Sequence, residues 1–96
     1  MKGLILNITT PKGTLGPVTC DSIRLTISED PKGKSGGSYG IRPGHAKALL
    51  ALGKGPVKAF LSGRILLSGE GSGGFATVDK DTVTIVTEEF LSDKET

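Results

Sequence analysis

The chain has 96 residues, of which 12 are Lys or Arg and 10 are Asp or Glu, for a formal net charge of +2; 35% are apolar and 4% aromatic. That length holds one domain and not two with independent cores, and the core must be assembled from Leu, Ile and Val with Phe60, Phe75 and Phe90 in support. A single cysteine and a single histidine exclude an internal disulfide and a zinc site of the usual ligands, and no run of about 18 apolar residues is present to cross a bilayer as a helix.

In chain order, Met1-Lys2-Gly3-Leu4-Ile5-Leu6-Asn7 carries one lysine and a short apolar run that Asn7 interrupts. A secretory signal needs an apolar region of about 7 to 15 residues, so no export is expected. Leu4, Leu6 and Ile8 alternate with Ile5, Asn7 and Thr9, the two-residue period of a strand with one buried face, and Pro11-Lys12-Gly13 ends it in a turn. Asn7-Ile8-Thr9 fits the glycosylation pattern, but without export it never meets the modifying enzymes. Cys20 reads as a small, buried or half-buried apolar residue. Ile23, Leu25 and Ile27 alternate with Arg24, Thr26 and Ser28, which predicts a second half-buried strand. Glu29 to Gly40 is rich in Gly, Pro and charge and long for a hairpin connection, which predicts a mobile loop.

The stretch from His45 to Leu52 is ambiguous. Ala, Leu and Lys favour a helix, yet eight residues between Gly44 and Gly53 make a marginal one, and Ala48, Leu50 and Leu52 would equally line one face of a strand. Val57 to Leu61 and Arg64 to Leu67 predict a hairpin turning at Ser62-Gly63, with Gly63 free to take positive φ. A second hairpin runs from Gly74 to Val78, through Asp79-Lys80-Asp81, to Thr82 to Thr87. Many short strands at such spacing indicate a sandwich or barrel.

Residues 31–69 hold Lys32, Lys34, Arg42, Lys47, Lys54, Lys58 and Arg64 and no carboxylate. These charges spread over several turns and strands with only Tyr39 and Phe60 as stacking residues, which argues against nucleic acid as a partner. Ser28-Glu29-Asp30-Pro31-Lys32-Gly33-Lys34-Ser35 nearly fits a phosphate-binding loop. Ser28 stands where the first Gly belongs, Gly36-Gly37-Ser38 cannot start a stable helix, and Glu29 and Asp30 repel phosphate, so a solvated loop is the better interpretation. A general-base role for His45 lacks a nucleophile and an orienting partner. A His after the turn dipeptide Pro43-Gly44 more often bonds to backbone and fixes a loop. No catalytic residue, metal or cofactor is expected.

Ser38-Tyr39-Gly40-Ile41-Arg42-Pro43-Gly44-His45-Ala46 and Ser72-Gly73-Gly74-Phe75-Ala76-Thr77-Val78 together resemble the epsilon subunit of F-type ATP synthases, through Gly40, Ile41, Pro43, Gly44, His45, Ala46, Gly73, Gly74 and Phe75. The likeness extends from the first strand with Thr10-Pro11-Lys12-Gly13 to Thr82-Val83-Thr84-Ile85-Val86. It implies an all-β fold, a flattened two-sheet β-sandwich of mostly antiparallel short strands over residues 1–88, with 89–96 a short acidic tail. It also makes the ambiguous 46–52 segment a strand. The implied job is that of a non-catalytic rotor subunit, packed against the gamma subunit at the foot of the central stalk and resting on the ring of c subunits, so that ion flow is coupled to ATP synthesis. Association with the membrane is then only through the complex, on the cytoplasmic face of the plasma membrane in a bacterium. Ring-side contact is expected from Ser38, Tyr39, Gly40, Ile41, Arg42, Pro43, Gly44 and His45; Gly73, Gly74 and Phe75 form a structural motif.

Three departures limit the resemblance. The family's C-terminal pair of helices is missing, since Glu88 to Thr96 suffices for one fraying turn, so inhibition by those helices and ATP binding between them are not expected. Glu29 to Gly37 is longer than the family loop, and Ser38 replaces a frequent Glu that faces the ring. Gly53-Lys54-Gly55-Pro56 shifts the usual Pro-Gly turn. Two competing interpretations are an unrelated soluble β-sandwich whose basic middle holds an acidic partner, and a small nucleotide-using enzyme built on Gly33-Lys34-Ser35.

Overall fold

Alternation along the chain decides which side chains turn inward. On β1 (Leu4–Thr10) Leu4, Leu6 and Ile8 are buried while Ile5 is exposed and Asn7 and Thr9 are half-buried, as a two-residue period requires. The computed structural model describes residues 3–28 and 35–92, with the backbone alone at Ser35 and Gly36. After β1 come β2 (Gly13–Cys20), β3 (Ser22–Ser28), β4 (Ser35–Ile41), β5 (Ala48–Leu52), β6 (Gly55–Leu61), β7 (Arg64–Gly71), β8 (Gly74–Asp79), β9 (Thr82–Val86) and β10 (Phe90–Ser92). One hydrogen-bonded ladder joins them in the order β10-β7-β6-β3-β5-β8-β9-β1-β2, with β4 on the remaining edge of β3. Every pairing is antiparallel except that of β1 with β9. The all-β class is therefore as expected, and the sheet is continuous and curled around its apolar side.

The curl has a local cause. β5 and β6 both run along one edge of β3, Leu52 opposite Ile27 and Lys58 opposite Arg24, and the chain bends between them at Gly53-Lys54-Gly55. The Gly53 N–H donates to the Thr26 carbonyl at 3.0 Å, and the Thr26 hydroxyl donates to the Pro56 carbonyl at 3.1 Å. At Gly55 a Cβ would sit 2.5 Å from Thr26 Oγ1, so only glycine lets the backbone pass this close. Beyond the bend β5 pairs with β8 and β6 with β7, which sends the two halves of the ladder in different directions around a shared core. Leu4, Leu6, Ile23, Leu25, Val83 and Ile85 are among the side chains buried there.

Both predicted hairpins form. Ser62 (φ 51°) and Gly63 (φ 79°) turn β6 into β7, and Lys80 (φ 50°) and Asp81 (φ 65°) turn β8 into β9. Two positive φ values in sequence give the turn whose twist matches that of the flanking strands. The ambiguous segment is strand from Ala48, with Ala48, Leu50 and Leu52 on the inner side and Leu49 and Ala51 outside. Three strands depart from the sequence-based expectations. Ser35–Ile41 is not loop but β4, because β3 offers it a free edge from Ile23 to Ser28 and Ile41 and Tyr39 anchor it from within. Gly13–Cys20 forms β2 against β1, although most of its residues are exposed and no alternation marks it. Phe90–Ser92 extends the sheet beyond residue 88 as β10, opposite Gly69 to Gly71, where the region had been given at most a fraying turn. Phe75 was expected in the core and lies outside it, because Ala76 and Val78 take the inward positions of β8. Glu29–Lys34, the part of the expected solvated loop that nearly fits a phosphate-binding pattern, lies outside the described residues, as do Met1-Lys2 and the tail at 93–96.

Replacing Gly55 by Ala should cost about 1–3 kcal/mol through overpacking against Thr26, lowering the melting temperature by roughly 4–8 °C per kcal/mol in a domain of this size. Gly40→Ala, with nothing within 4 Å of the added Cβ, should stay within about 0.5 kcal/mol of the parent. Thermal melts of the two variants make the comparison.

Candidate partner-binding surfaces

Antiparallel pairing gathers several turns at one end of the molecule. β4 ends at Ile41 opposite Ile23, β6 brings Phe60 opposite Ser22 just before its end at Leu61, and β8 delivers the Lys80-Asp81 turn beside the loop from Arg42 to Lys47. Three hydrogen bonds fasten these turns to one another. The Gly44 N–H donates to Asp81 Oδ1 at 2.8 Å, the Ser62 N–H to Asp21 Oδ2 at 2.9 Å, and the Asp21 N–H to the Phe60 carbonyl at 2.8 Å. The Asp81 carbonyl also accepts the Ile5 N–H at 2.9 Å, which ties the start of β1 to the same turn.

Within the loop, Pro43-Gly44 reverses the chain, with Gly44 at φ 87° and the His45 N–H bonded to the Arg42 carbonyl at 3.1 Å. The His45 ring is then held on both sides. Nδ1 lies 2.7 Å from the Ala46 carbonyl, an acceptor only, so Nδ1 donates there, and Nε2 and the Tyr39 hydroxyl share a hydrogen bond at 2.9 Å. The two rings meet edge to face with centroids 5.8 Å apart. His45 is thus bonded to backbone and to Tyr39, as a His that fixes a loop after a turn would be.

The eight residues expected on the ring side are divided by the fold. Ser38, Tyr39, Gly40 and Ile41 belong to β4 instead of a loop; Ile41 is buried and Tyr39 half-buried, while Ser38 and Gly40 are open to solvent. Arg42 and Gly44 are exposed, and Pro43 and His45 half-buried. Gly73 (φ 116°) and Gly74 (φ 110°) bring the chain into β8 so close to β9 that a Cβ on Gly74 would run into the Val86 carbonyl. The same entry is held by hydroxyls. Thr87 donates to the Glu89 carbonyl at 3.2 Å, Ser72 to Thr87 Oγ1 at 3.1 Å, and the Glu89 N–H to Ser72 Oγ at 3.0 Å.

Phe75 opens a surface that the sequence did not reveal. It is 45% exposed on the outer side of β8, opposite Ala51 of β5 and Val86 of β9, and the 71% exposed Leu49 sits opposite Thr77. With Thr84 and Ile5 the outer side of β5, β8, β9 and β1 forms a patch of apolar and Thr side chains. The available signal was Ala48-Leu49-Leu50-Ala51-Leu52: as a strand, it is apolar on both faces. Among the described residues no three His, Cys, Asp or Glu side chains cluster as a metal site. Burial, and then the neighbouring Asp21 carboxylate, push the Cys20 thiol up, so it remains a thiol at neutral pH.

Tyr39→Phe should remove one partly buried hydrogen bond, costing about 1 kcal/mol, and speed amide hydrogen exchange at Gly44 and His45 while leaving β8 and β9 protected. Unchanged exchange in the loop would show that the Tyr39–His45 pair does not hold it.

Residues 4–93 match the model of the family described as the ATP synthase, Delta/Epsilon chain, beta-sandwich domain. A chain of the Euglena gracilis mitochondrial ATP synthase, solved as an OSCP/F1/c-ring assembly in rotational state 1, is similar with a TM-score of 0.74 at 26% identity, over 94% of this chain and 53% of that one. A chain of the Tetrahymena thermophila mitochondrial ATP synthase central stalk and c-ring has a TM-score of 0.69 at 17% identity, over 94% of this chain and 66% of that one, a likeness of fold. The chain thus spans about half the length of the Euglena chain it matches. No curated protein is a significant match to the sequence. By the match over residues 4–93, the chain belongs to the family of ATP synthase delta/epsilon-chain β-sandwich domains.

Proposed function

We propose that this domain is a non-catalytic part of the rotor of an F-type ATP synthase, fixed to the gamma subunit and resting on the ring of c subunits, so that ion flow through the ring is coupled to ATP synthesis. Within a family of ATP synthase domains, the observation that carries this role is the outer side of β5, β8 and β9, where Leu49, Ala51, Phe75 and Val86 lie with Thr77 and Thr84, and Lys47 and Asp79 stand at the border. A small domain with an exposed patch of this kind gains by covering it, which favours a standing protein partner over free solution. That face is assigned to gamma. The ring side is assigned to the end carrying Ser38, Gly40, Arg42 and Gly44 on its surface, with Tyr39, Ile41, Pro43 and His45 supporting them from beneath.

The curled ladder is proposed to work as a flattened two-sheet sandwich, β4-β3-β6-β7-β10 over β5-β8-β9-β1-β2, joined by the single pair Ile27 and Leu52. The extents of 38 × 35 × 23 Å support it, since two sheets pack about 10 Å apart and side chains on both outer faces account for the remaining thickness. The sandwich proper then ends near residue 88, with Phe90–Ser92 closing its edge on β7. Association with the membrane is through the complex alone, on the cytoplasmic face of the plasma membrane in a bacterium.

The purified chain mixed with its cognate gamma subunit at micromolar concentration should elute as one complex on size exclusion. Leu49→Glu and Phe75→Glu should each weaken that complex about 10- to 100-fold, as central apolar contacts do, without lowering the melting temperature of the free domain. Two independent peaks for the parent protein would overturn the rotor assignment.

A further inference from the structure

Between the end of β4 and the β6–β7 turn lies an open groove of about 450 Å³, walled by Ser22, Arg24, Arg42, Pro43, Phe60 and Gly63, with Asp21 also on its wall. Arg24 points outward from β3, cross-strand from Lys58 on one side and from Gly40 on the other. A Cβ at Gly40 would meet nothing within 4 Å, so the space beside the Arg24 side chain is open. Arg42 follows directly on β4, and neither guanidinium group has an ion pair or hydrogen bond among the described residues. The one carboxylate in the groove, Asp21, is tied to the hairpin turn through the Ser62 N–H. Half-buried Phe60 and Pro43 supply apolar wall between the charges.

The hairpin tip beside the groove is apolar where a solvent-facing turn is ordinarily polar. Leu61, Ile65 and Leu66 are 38%, 56% and 45% exposed, and the register shift between Ala59 and Phe60 inserts Leu66 as the extra residue that brings both Ile65 and Leu66 to the surface. Arg64 stands opposite Leu61 at this tip, and Arg24 and Arg42 line the adjoining groove with Lys58 cross-strand from Arg24. We propose that the groove receives a carboxylate side chain from an acidic peptide segment of the partner on which this end of the domain rests, with apolar residues of the same segment covering Leu61, Ile65 and Leu66. The inference rests on the ring-side assignment made above and gives its chemistry: cationic on this chain, acidic and apolar on the partner. A peptide carboxylate fits better than a phosphate because Asp21 repels a dianion twice as strongly as a single negative charge.

The test is a titration of ¹⁵N-labelled protein followed by NMR, reading backbone amides and the Arg Nε–H signals. The probe is the peptide acetyl-Gly-Leu-Glu-Leu-Glu-Gly-amide, alongside its counterpart with Gln in place of Glu and vesicles of phosphatidylglycerol. The Glu peptide should shift the Arg24 and Arg42 signals and bind at least about tenfold tighter than the Gln peptide at low salt. Arg24→Gln and Arg42→Gln should each weaken it about fivefold, as loss of a partly exposed charge-assisted bond does. Lys12→Gln, at the opposite end of the sheet, should change nothing. Equal loss on Lys12→Gln, no preference for Glu over Gln, or binding to the vesicles without binding to the peptide would each overturn the groove. Gamma binding, measured on the same variants, separates this from the rotor assignment. A peptide preference without gamma binding leaves the groove standing and removes the assignment, and gamma binding without a peptide preference does the reverse.

Discussion

The close approach of Gly55 to Thr26 governs the rest of the molecule. A strand that simply continued from β5 into β6 would keep both halves in one plane, and the apolar sides of β1, β3, β8 and β9 would have nothing to face. Two hydrogen bonds hold the bend: Gly53 N–H reaches the Thr26 carbonyl and the Thr26 hydroxyl reaches the Pro56 carbonyl. A corner this tight would otherwise leave buried donors and acceptors unpaired, at a cost of about 1–3 kcal/mol each. The bend also sets where the proposed binding faces lie, with Leu49 and Phe75 outward on one side and the β6–β7 tip beside the loop that follows Arg42.

How much of this was legible follows from what each segment had to bury. Leu4, Leu6 and Ile8, and likewise Ile23 and Leu25, face a core on one side and solvent on the other, so their period is written in the sequence. The hairpin turns were equally visible, because reversing a strand in two residues demands positive φ. Even there the second turn uses Lys80 and Asp81 where glycine would be the easier choice. β2 and β4 were hidden for a different reason. Each lies at an edge, bonded along one side only, and contributes backbone pairing more than buried side chains: Cys20 is the buried residue of β2, and Ile41 with half-buried Tyr39 anchors β4. Composition rich in Gly, Ser and Pro says little about whether a neighbouring strand offers an edge, and that offer decides the matter.

The two motifs that carry the family resemblance turn out to be devices of construction. Pro43-Gly44-His45-Ala46 makes a turn whose backbone bonds to Asp81 and whose imidazole spans Tyr39 and the Ala46 carbonyl. Ser72-Gly73-Gly74-Phe75 lets β8 enter against β9, where any side chain at Gly74 would strike the Val86 carbonyl. Such residues are fixed by the fold's own geometry, so they identify a family well and describe a partner poorly. The groove at Arg24 and Arg42 and the patch at Leu49 and Phe75 are built mostly from exposed side chains, and of these Phe75 belongs to a motif and Arg42 lies within the other, while Arg24 and Leu49 lie outside both.

In the proposed rotor, stiffness matters more than any pocket, and the hydrogen bonds supply a path for load. A force taken by the loop at Gly44 passes to Asp81, whose carbonyl holds Ile5 of β1 and which leads directly into β9, paired to β1 and β8 along its length. The hairpin that receives the force at its turn carries Phe75 on its outer side, the face assigned to gamma. Ring side and shaft side are therefore joined through one hairpin, with no flexible segment between them. Backbone bonds in a ladder yield together or not at all, whereas a path through exposed side chains would give at each rotamer. A domain whose task is to pass rotation along would be expected to place its loop anchor and its apolar patch on the same pair of strands, and β8 and β9 are that pair.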